Sequence, residues 1–158
     1  MKRKLRIALV AHDNRKADIV DWALNNSEML SAHKLFCTGT TGTLVRESFM
    51  KRGIASDITC MHSGPMGGDA EIAALVVRKE IDFAVFFIDD LNPQPHEADI
   101  QMLLRQCRIH NIPIACNRYS ADLMITSSDD ASYVPKDPIY APFDRKAFEE
   151  GLKEKNDM

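Results

Sequence analysis

Ile81-Asp82-Phe83-Ala84-Val85-Phe86-Phe87-Ile88 is a near-continuous apolar run, and Asp89-Asp90-Leu91-Asn92-Pro93-Gln94-Pro95 follows it directly. A strand that is apolar at successive positions, instead of at every second one, is buried on both faces. That is the condition of an inner strand in a parallel sheet. Working outward, Asp57 to Met61 is strand-like and enters a loop beginning at Ser63. Asp69 then occupies an N-cap position before Ile72, Leu75 and Val76, which share one helical face. Downstream, Ile100, Leu103, Leu104 and Cys107 form a helical stripe. Ile112 to Cys116 reads as a further strand, and Ser120-Ala121-Asp122 opens a short helix. Upstream, Leu5 to Ala11 is a strand. A helix over residues 16–30 follows, with Ile19, Trp22 and Ala23 at helical spacing. Leu35 to Cys37 is another strand, and Thr41 or Thr43 caps a helix running toward Arg52.

This alternation predicts an α/β fold: a single doubly wound domain with a central, mostly parallel five-stranded sheet and helices on both faces. It occupies residues 1–126. Residues 127–158 change character, with Pro135, Pro138 and Pro142 and then a charged end. They read as a peripheral C-terminal extension of the same domain with a short terminal helix.

The chain has 158 residues, enough for one domain with a sizeable core. Its net charge of -3 gives no basic face for nucleic acid. No apolar run is long enough to cross a bilayer. Lys2, Arg3 and Lys4 precede apolar residues, but His12-Asp13 ends that run too early for a signal peptide. Cys37, Cys60, Cys107 and Cys116 form no C-x-x-C pair and read as buried free thiols of a reducing compartment. No grouping has the spacing of a zinc or calcium site. Trp22 and Phe49 are candidates for apolar surface covered in an assembly.

The polar residues fall where the predicted strands end. His12, Thr38, Ser63, Asp89 and Asn117 each follow a strand, and ligands of open parallel sheets bind outside the strands' carboxyl ends. Thr38-Gly39-Thr40-Thr41-Gly42 offers hydroxyls and N–H groups at a helix start, a setting that favours an anion. It is neither a P-loop nor a dinucleotide fingerprint. Ser63-Gly64-Pro65-Met66-Gly67-Gly68-Asp69 can bring backbone N–H groups close to an anionic group and aim Asp69 at it. Asp69 is then a base or merely a helix cap. His96, in a loop, is solvated or is oriented by Asp99 as an acid, base or electrophile. Lys16, on the first turn after His12-Asp13, can reach back to a phosphate as a point charge. His33, His62 and His110 read as structural.

Val10-Ala11-His12-Asp13 with Lys16, the Thr38 to Gly42 loop, the Ser63 to Asp69 segment, and Pro95-His96 followed by Asp99 together closely resemble the methylglyoxal synthase family, from about Leu5 to Asp122. The resemblance implies a cofactor-free lyase converting dihydroxyacetone phosphate to methylglyoxal and orthophosphate. It further implies a cytoplasmic bacterial homohexamer inhibited by phosphate. By motif match, Asp69 is the catalytic acid/base and His96 polarises the carbonyl. Lys16, Thr38, Gly39, Thr40, Thr41, Ser63 and Gly64 bind the phosphoryl group, and His12 lines the substrate. Asp13, Asp89 and Asp99 orient or tune these groups. The chain departs from the family pattern at Asp90, which stands where a proline is expected, and in extra residues near Met50 to Ile54. Arg145 is the candidate for the family's C-terminal phosphate arginine. A non-catalytic regulatory module that binds a phosphorylated small molecule is the alternative, and a phosphosugar isomerase a third.

Overall fold

The computed structural model describes residues 3–127, Pro138 and residues 140–157. Five parallel strands, β1 (Arg6–Ala11), β2 (Lys34–Cys37), β3 (Asp57–Cys60), β4 (Phe83–Phe87) and β5 (Ile114–Ala115), form one sheet in the order β3-β2-β1-β4-β5. The chain winds outward from β1 to β3, then crosses to β4 on the other side of β1. That reversal puts a crevice at the carboxyl ends of β1 and β4, the customary ligand position in such sheets. Ile7 pairs with Phe83 and Ala11 with Phe87, so both strands end at the same level.

Side-chain alternation explains why β4 is apolar throughout. Phe83, Val85 and Phe87, with Ile7, Leu9 and Ala11 of β1, pack under α1 (Lys16–Asn25) and α3 (Gly39–Lys51), against Ile19, Trp22, Val45 and Phe49. Ala84 and Phe86, with Ala8 and Val10, point the opposite way. They meet Ile72 and Val76 of α4 (Gly68–Val77) and Ile100, Leu103 and Cys107 of α5 (Glu97–Ile109). The doubly wound α/β architecture expected from the sequence is therefore present. Trp22 and Phe49 are fully buried in this core, so neither supplies surface to an assembly. Trp22 is fixed there by its indole N–H, which donates to Asp122 (3.0 Å) on α6 (Arg118–Ser127).

Several element boundaries differ from the sequence expectation. The helix over residues 16–30 is broken into α1 and α2 (Ser27–Ser31) at Asn26, whose backbone leaves helical dihedrals (φ -116°, ψ 23°) and whose side-chain amide joins its own N–H on the Trp22 carbonyl (2.9 and 3.1 Å). The fifth strand shrinks to two residues. The Ile112 N–H closes onto Cys107 at the end of α5, Pro113 has no N–H to give, and its carbonyl receives the Ala84 N–H. Thr38, in extended conformation, is the N-cap of α3, whereas Thr43 lies inside the helix with its hydroxyl donating to the Gly39 carbonyl. The N-cap of α4 is Gly67, at φ 108°, so Asp69 belongs to the first turn and does not cap.

Cys37 and Cys107 are buried free thiols; burial pushes the first up and the second to about 12. Cys60 is half-buried. Cys116 is exposed, because it leaves the sheet just after the short edge strand. Helix α7 (Arg145–Asn156) is capped by the Asp144 carboxylate, which accepts from the Ala147 N–H (3.1 Å). Pro135 lies outside the described residues. Among the described residues no helix is long and apolar enough to cross a membrane.

Candidate active site

A pocket at the switch between β1 and β4 is lined by His12, Asp13, Lys16, Thr38, Thr40, Ser63, Gly64, Pro65, Asp69, Gln94 and His96, over Val10 and Ala11. The loops after β1, β2 and β3 and the segment entering α5 thus converge. The fifth loop does not. Asn117 is exposed and instead caps α6, its side-chain oxygen accepting from the Ser120 N–H (2.9 Å).

Asp69 enters the pocket from the first turn of α4. Its residue exposure is 0%, and neither carboxylate oxygen has a hydrogen-bond partner. Desolvation raises its pKa; the imidazole of His96 opposes this and the charge of Asp99 adds to it. A cap would show a bonded side chain, and Asp69 shows none. The nearest polar atom with which it pairs is His96 Nε2, 3.4 Å from Oδ2. His96 is itself the N-cap residue of α5, with a buried side chain whose Nδ1 has no partner. Asp99 therefore does not hydrogen-bond the ring at Nδ1. Its N–H donates to the His96 carbonyl (3.0 Å), which fixes the backbone beneath the ring.

Glycines allow this closeness. A Cβ on Gly64 would stand 3.1 Å from His96 Nε2 and 3.3 Å from Asp69 Oδ1, in the space between the pair and the pocket. Gly68 lies against the His62 and Ser63 carbonyl carbons, leaving no room for a side chain there. Outside the loop, Glu71 accepts from both the His62 N–H (2.8 Å) and the His62 ring (2.7 Å). This ties the end of β3 to α4 and sets the loop's width.

On the opposite wall, Lys16 bends back so that its ammonium donates to the Ala11 carbonyl (2.6 Å) and approaches Asp13 (3.4 Å), whose carboxylate is otherwise exposed. His12 is buried. Its Nδ1 accepts the Asp89 N–H (2.8 Å), and its Nε2 has no partner. Its pKa is lowered, first by desolvation and then by the nearby His96 and Lys16. The ring packs edge-on against Phe86 and against His96, with centroids 5.3 and 5.6 Å apart. Asp89 stands behind the pocket. Hydrogen bonds from Asn92, then Asn14 and the Leu91 N–H, hold its carboxyl below the usual range.

Thr38, Thr40, Ser63 and Gly64 line the anion side. The first-turn N–H groups of Gly39 and Gly42 are taken by the His62 and Thr38 carbonyls, which leaves Thr40 and Thr41 as the first-turn donors of α3. Gly39 and Thr41 do not form the pocket wall. Gly39 lies where β2 and β3 loops touch, and the Thr41 hydroxyl is buried with no partner. Arg145 is exposed on α7 and pairs with Glu149 (2.9 Å), and it is not among the pocket residues. Among the described residues no cluster of three or more His, Cys, Asp or Glu side chains is arranged to hold a metal ion. Sequence reasoning missed Gln94 and Pro65. It also missed Asn14 and Asn92 behind Asp89; Asn92 is only three residues from its partner, but nothing local marks Asn14, whose partner is 75 residues away.

The chain is similar in sequence and in fold to known proteins. The family model for the MGS-like domain matches residues 18–116. A methylglyoxal synthase of Treponema socranskii is 94% identical over 98% of this chain and 99% of its own length. One from Proteus mirabilis is 50% identical over 77% of this chain and 76% of its own. The crystal structure of the methylglyoxal synthase from Elizabethkingia anophelis superposes with a TM-score of 0.70 at 31% identity, covering 93% of this chain and 91% of that one. With this agreement over nearly its whole length, the chain belongs to the methylglyoxal synthase family.

Proposed function

We propose that the pocket converts dihydroxyacetone phosphate to methylglyoxal and orthophosphate, with Asp69 as the base. The observation that carries this reading is the Asp69 carboxylate, buried, unpartnered and facing His96 at the pocket wall. A buried base with a raised pKa is better matched to a carbon acid at neutral pH than a solvated one. Asp69 removes a proton from the hydroxyl-bearing carbon. The C–H electron pair forms the carbon–carbon double bond of an enediolate, whose oxygen is stabilised by a donor from His96 and by the Nε2–H of His12. The hydroxyl oxygen then forms the aldehyde carbonyl and gives up its proton to the departing phosphate, while the double bond shifts to the next carbon pair and the carbon–oxygen bond to phosphate breaks. Phosphate departs with the electron pair of that bond, and the enol left behind takes up a proton to become methylglyoxal. Lys16, Thr38, Thr40, Ser63 and Gly64 hold the phosphoryl group, with Gly39 and Thr41 supporting the α3 turn. Asp13 steadies Lys16, while Asp89 and Asp99 act on His12 and on the His96–Asp69 pair. The steps as written need no redox cofactor or metal. Incubation with dihydroxyacetone phosphate should release methylglyoxal and phosphate in equal amounts; glyceraldehyde 3-phosphate as the sole product would reject the elimination.

Orthophosphate would occupy the same donors as the substrate's phosphoryl group. Lys16→Ala should therefore weaken substrate binding and phosphate inhibition together, each by roughly 1.5–3 kcal/mol for a lost charge-assisted hydrogen bond. Inhibition surviving intact while substrate affinity collapses would separate the two sites.

The assembly is a closed homohexamer in the cytoplasm, with residues 127–158 as a peripheral extension of the domain. Trp22 and Phe49 play no part in it. Exposed apolar side chains at Tyr119, Leu123, Tyr140, Phe143 and Phe148 are available instead. Sedimentation should give six times the chain mass of 17.8 kDa; a monomer at working concentration refutes the assembly.

A further inference from the structure

We propose that Asn14 and Asn92 are positioning residues for the reaction. Together they clamp the Asp89 carboxylate so that the Asp89 backbone N–H locks His12 as the neutral tautomer with its Nε2–H in the pocket. The inference rests on the reaction assigned above.

Asn14 and Asn92 each donate a side-chain N–H to Asp89 Oδ2 (2.9 Å in both cases), and the Leu91 N–H donates to Oδ1 (3.0 Å). Asn14 belongs to the turn after β1 and Asn92 to the loop after β4, so the carboxylate pins two chain segments that meet only at the sheet's switch point. The same meeting is made by backbone, where the His12 N–H donates to the Phe87 carbonyl (3.2 Å), and by Arg15, which donates to the Ile88 carbonyl (3.0 Å). Held this way, the Asp89 N–H has one direction open, toward His12 Nδ1 at 2.8 Å. A backbone N–H can only donate, so Nδ1 must carry a lone pair, and the ring proton must sit on Nε2. That atom is buried and has no protein partner, as a group reserved for a ligand oxygen would be.

The groups facing His12 are His96 and Glu97 from the start of α5, Lys16 from α1 and Asp89 from the β4 loop, with Asp13 beside it in the chain. His96, Lys16 and the N–H bond to Nδ1 favour the neutral ring; Asp89 and Glu97 favour the charged one. Loosening the clamp removes the N–H bond but leaves the carboxylates nearby. The ring should then titrate at higher pH and sample both tautomers.

The test uses the full-length protein labelled with 15N-histidine, with His12 assigned by the signal lost in His12→Gln. The free wild-type protein should show an unprotonated Nδ1 and a protonated Nε2. In the Asn14→Ala, Asn92→Ala double variant both nitrogens should move toward tautomer averaging. The acid limb of kcat/KM should shift to higher pH, and kcat should fall by about tenfold, as for one lost hydrogen bond to a charged group. Each single variant should lie between. A protonated Nδ1 in the wild type overturns the proposal, as does a double variant with unchanged histidine signals. A shifted tautomer with unchanged turnover and pH profile overturns the positioning role. Since the spectra are read without substrate, a failed clamp is distinguishable from a failed reaction assignment, which would show as no methylglyoxal from the wild type.

Discussion

Asp69→Asn should reduce kcat by roughly 10²–10⁴-fold, the usual contribution of a positioned general base, while a phosphate-bearing analogue still binds. The substitution keeps the side chain's size but removes the base. A loss confined to kcat marks an interaction needed only in the transition state. The wild-type profile should carry the same signature. The carboxylate must be ionised to accept a proton, and desolvation raises its pKa, so the acid limb of kcat should lie above the range of a solvated aspartate.

Stability should move the opposite way. A carboxyl whose folded pKa is raised binds its proton more tightly in the native state. It therefore adds stability at low pH and costs stability once pH exceeds both its unfolded and folded values. At neutral pH, replacing a charge that has no hydrogen-bond partner by a neutral amide should raise the unfolding midpoint. An inactive but unfolded variant would leave its low turnover without catalytic meaning. A folded one with wild-type turnover would remove Asp69 from the mechanism.

Gly68→Ala should be the most damaging small substitution in the loop. Its Cβ would be driven into the His62 carbonyl group, 2.9 Å from the carbonyl carbon of His62 and 3.0 Å from that of Ser63. These are backbone atoms and cannot rotate away, so the loop or α4 must shift. The cost should reach the upper end of overpacking, about 3 kcal/mol, or roughly 6–12 °C in the midpoint for a chain of this size. The displaced residue is followed immediately by Asp69, and misplacing a reacting group by about 1 Å costs on the order of 10²-fold in rate. Both losses should appear together in thermal unfolding and steady-state assays. An alanine variant with unchanged midpoint and activity would show that the close approach is not required.

Much of the fold is legible in local sequence. The β4 run is apolar at every position, and α5 carries a stripe at helical spacing; both appear where expected because burial on two faces or one imposes those periods. Elements whose limits depend on a single residue are less legible. Asn26 leaving helical dihedrals and Pro113 lacking an N–H each mark a moved boundary, and a periodicity argument weighs neither.

The site divides along the same line. Glycines and hydroxyls at strand ends mark the Thr38 and Ser63 loops from the sequence alone, since parallel strands must deliver their following loops to one edge. The sequence set Asp69 at the end of a loop leading from that edge and His96 in another loop, with two roles open for each. Whether Asp69 caps a helix or faces a pocket depended on where α4 begins. Gly67 takes the cap position, so the carboxylate is left buried with His96 3.4 Å away. That His12 meets Asp89, that Asn14 and Asn92 stand behind it, and that Gly39 and Thr41 sit off the pocket wall were likewise decided by tertiary structure. The first two depend on β1 and β4 becoming neighbours, and the separation of 75 and 77 residues between Asp89 and its partners Asn14 and His12 carries no local trace of that; Asn92, three residues from Asp89, is set by the course of the loop after β4.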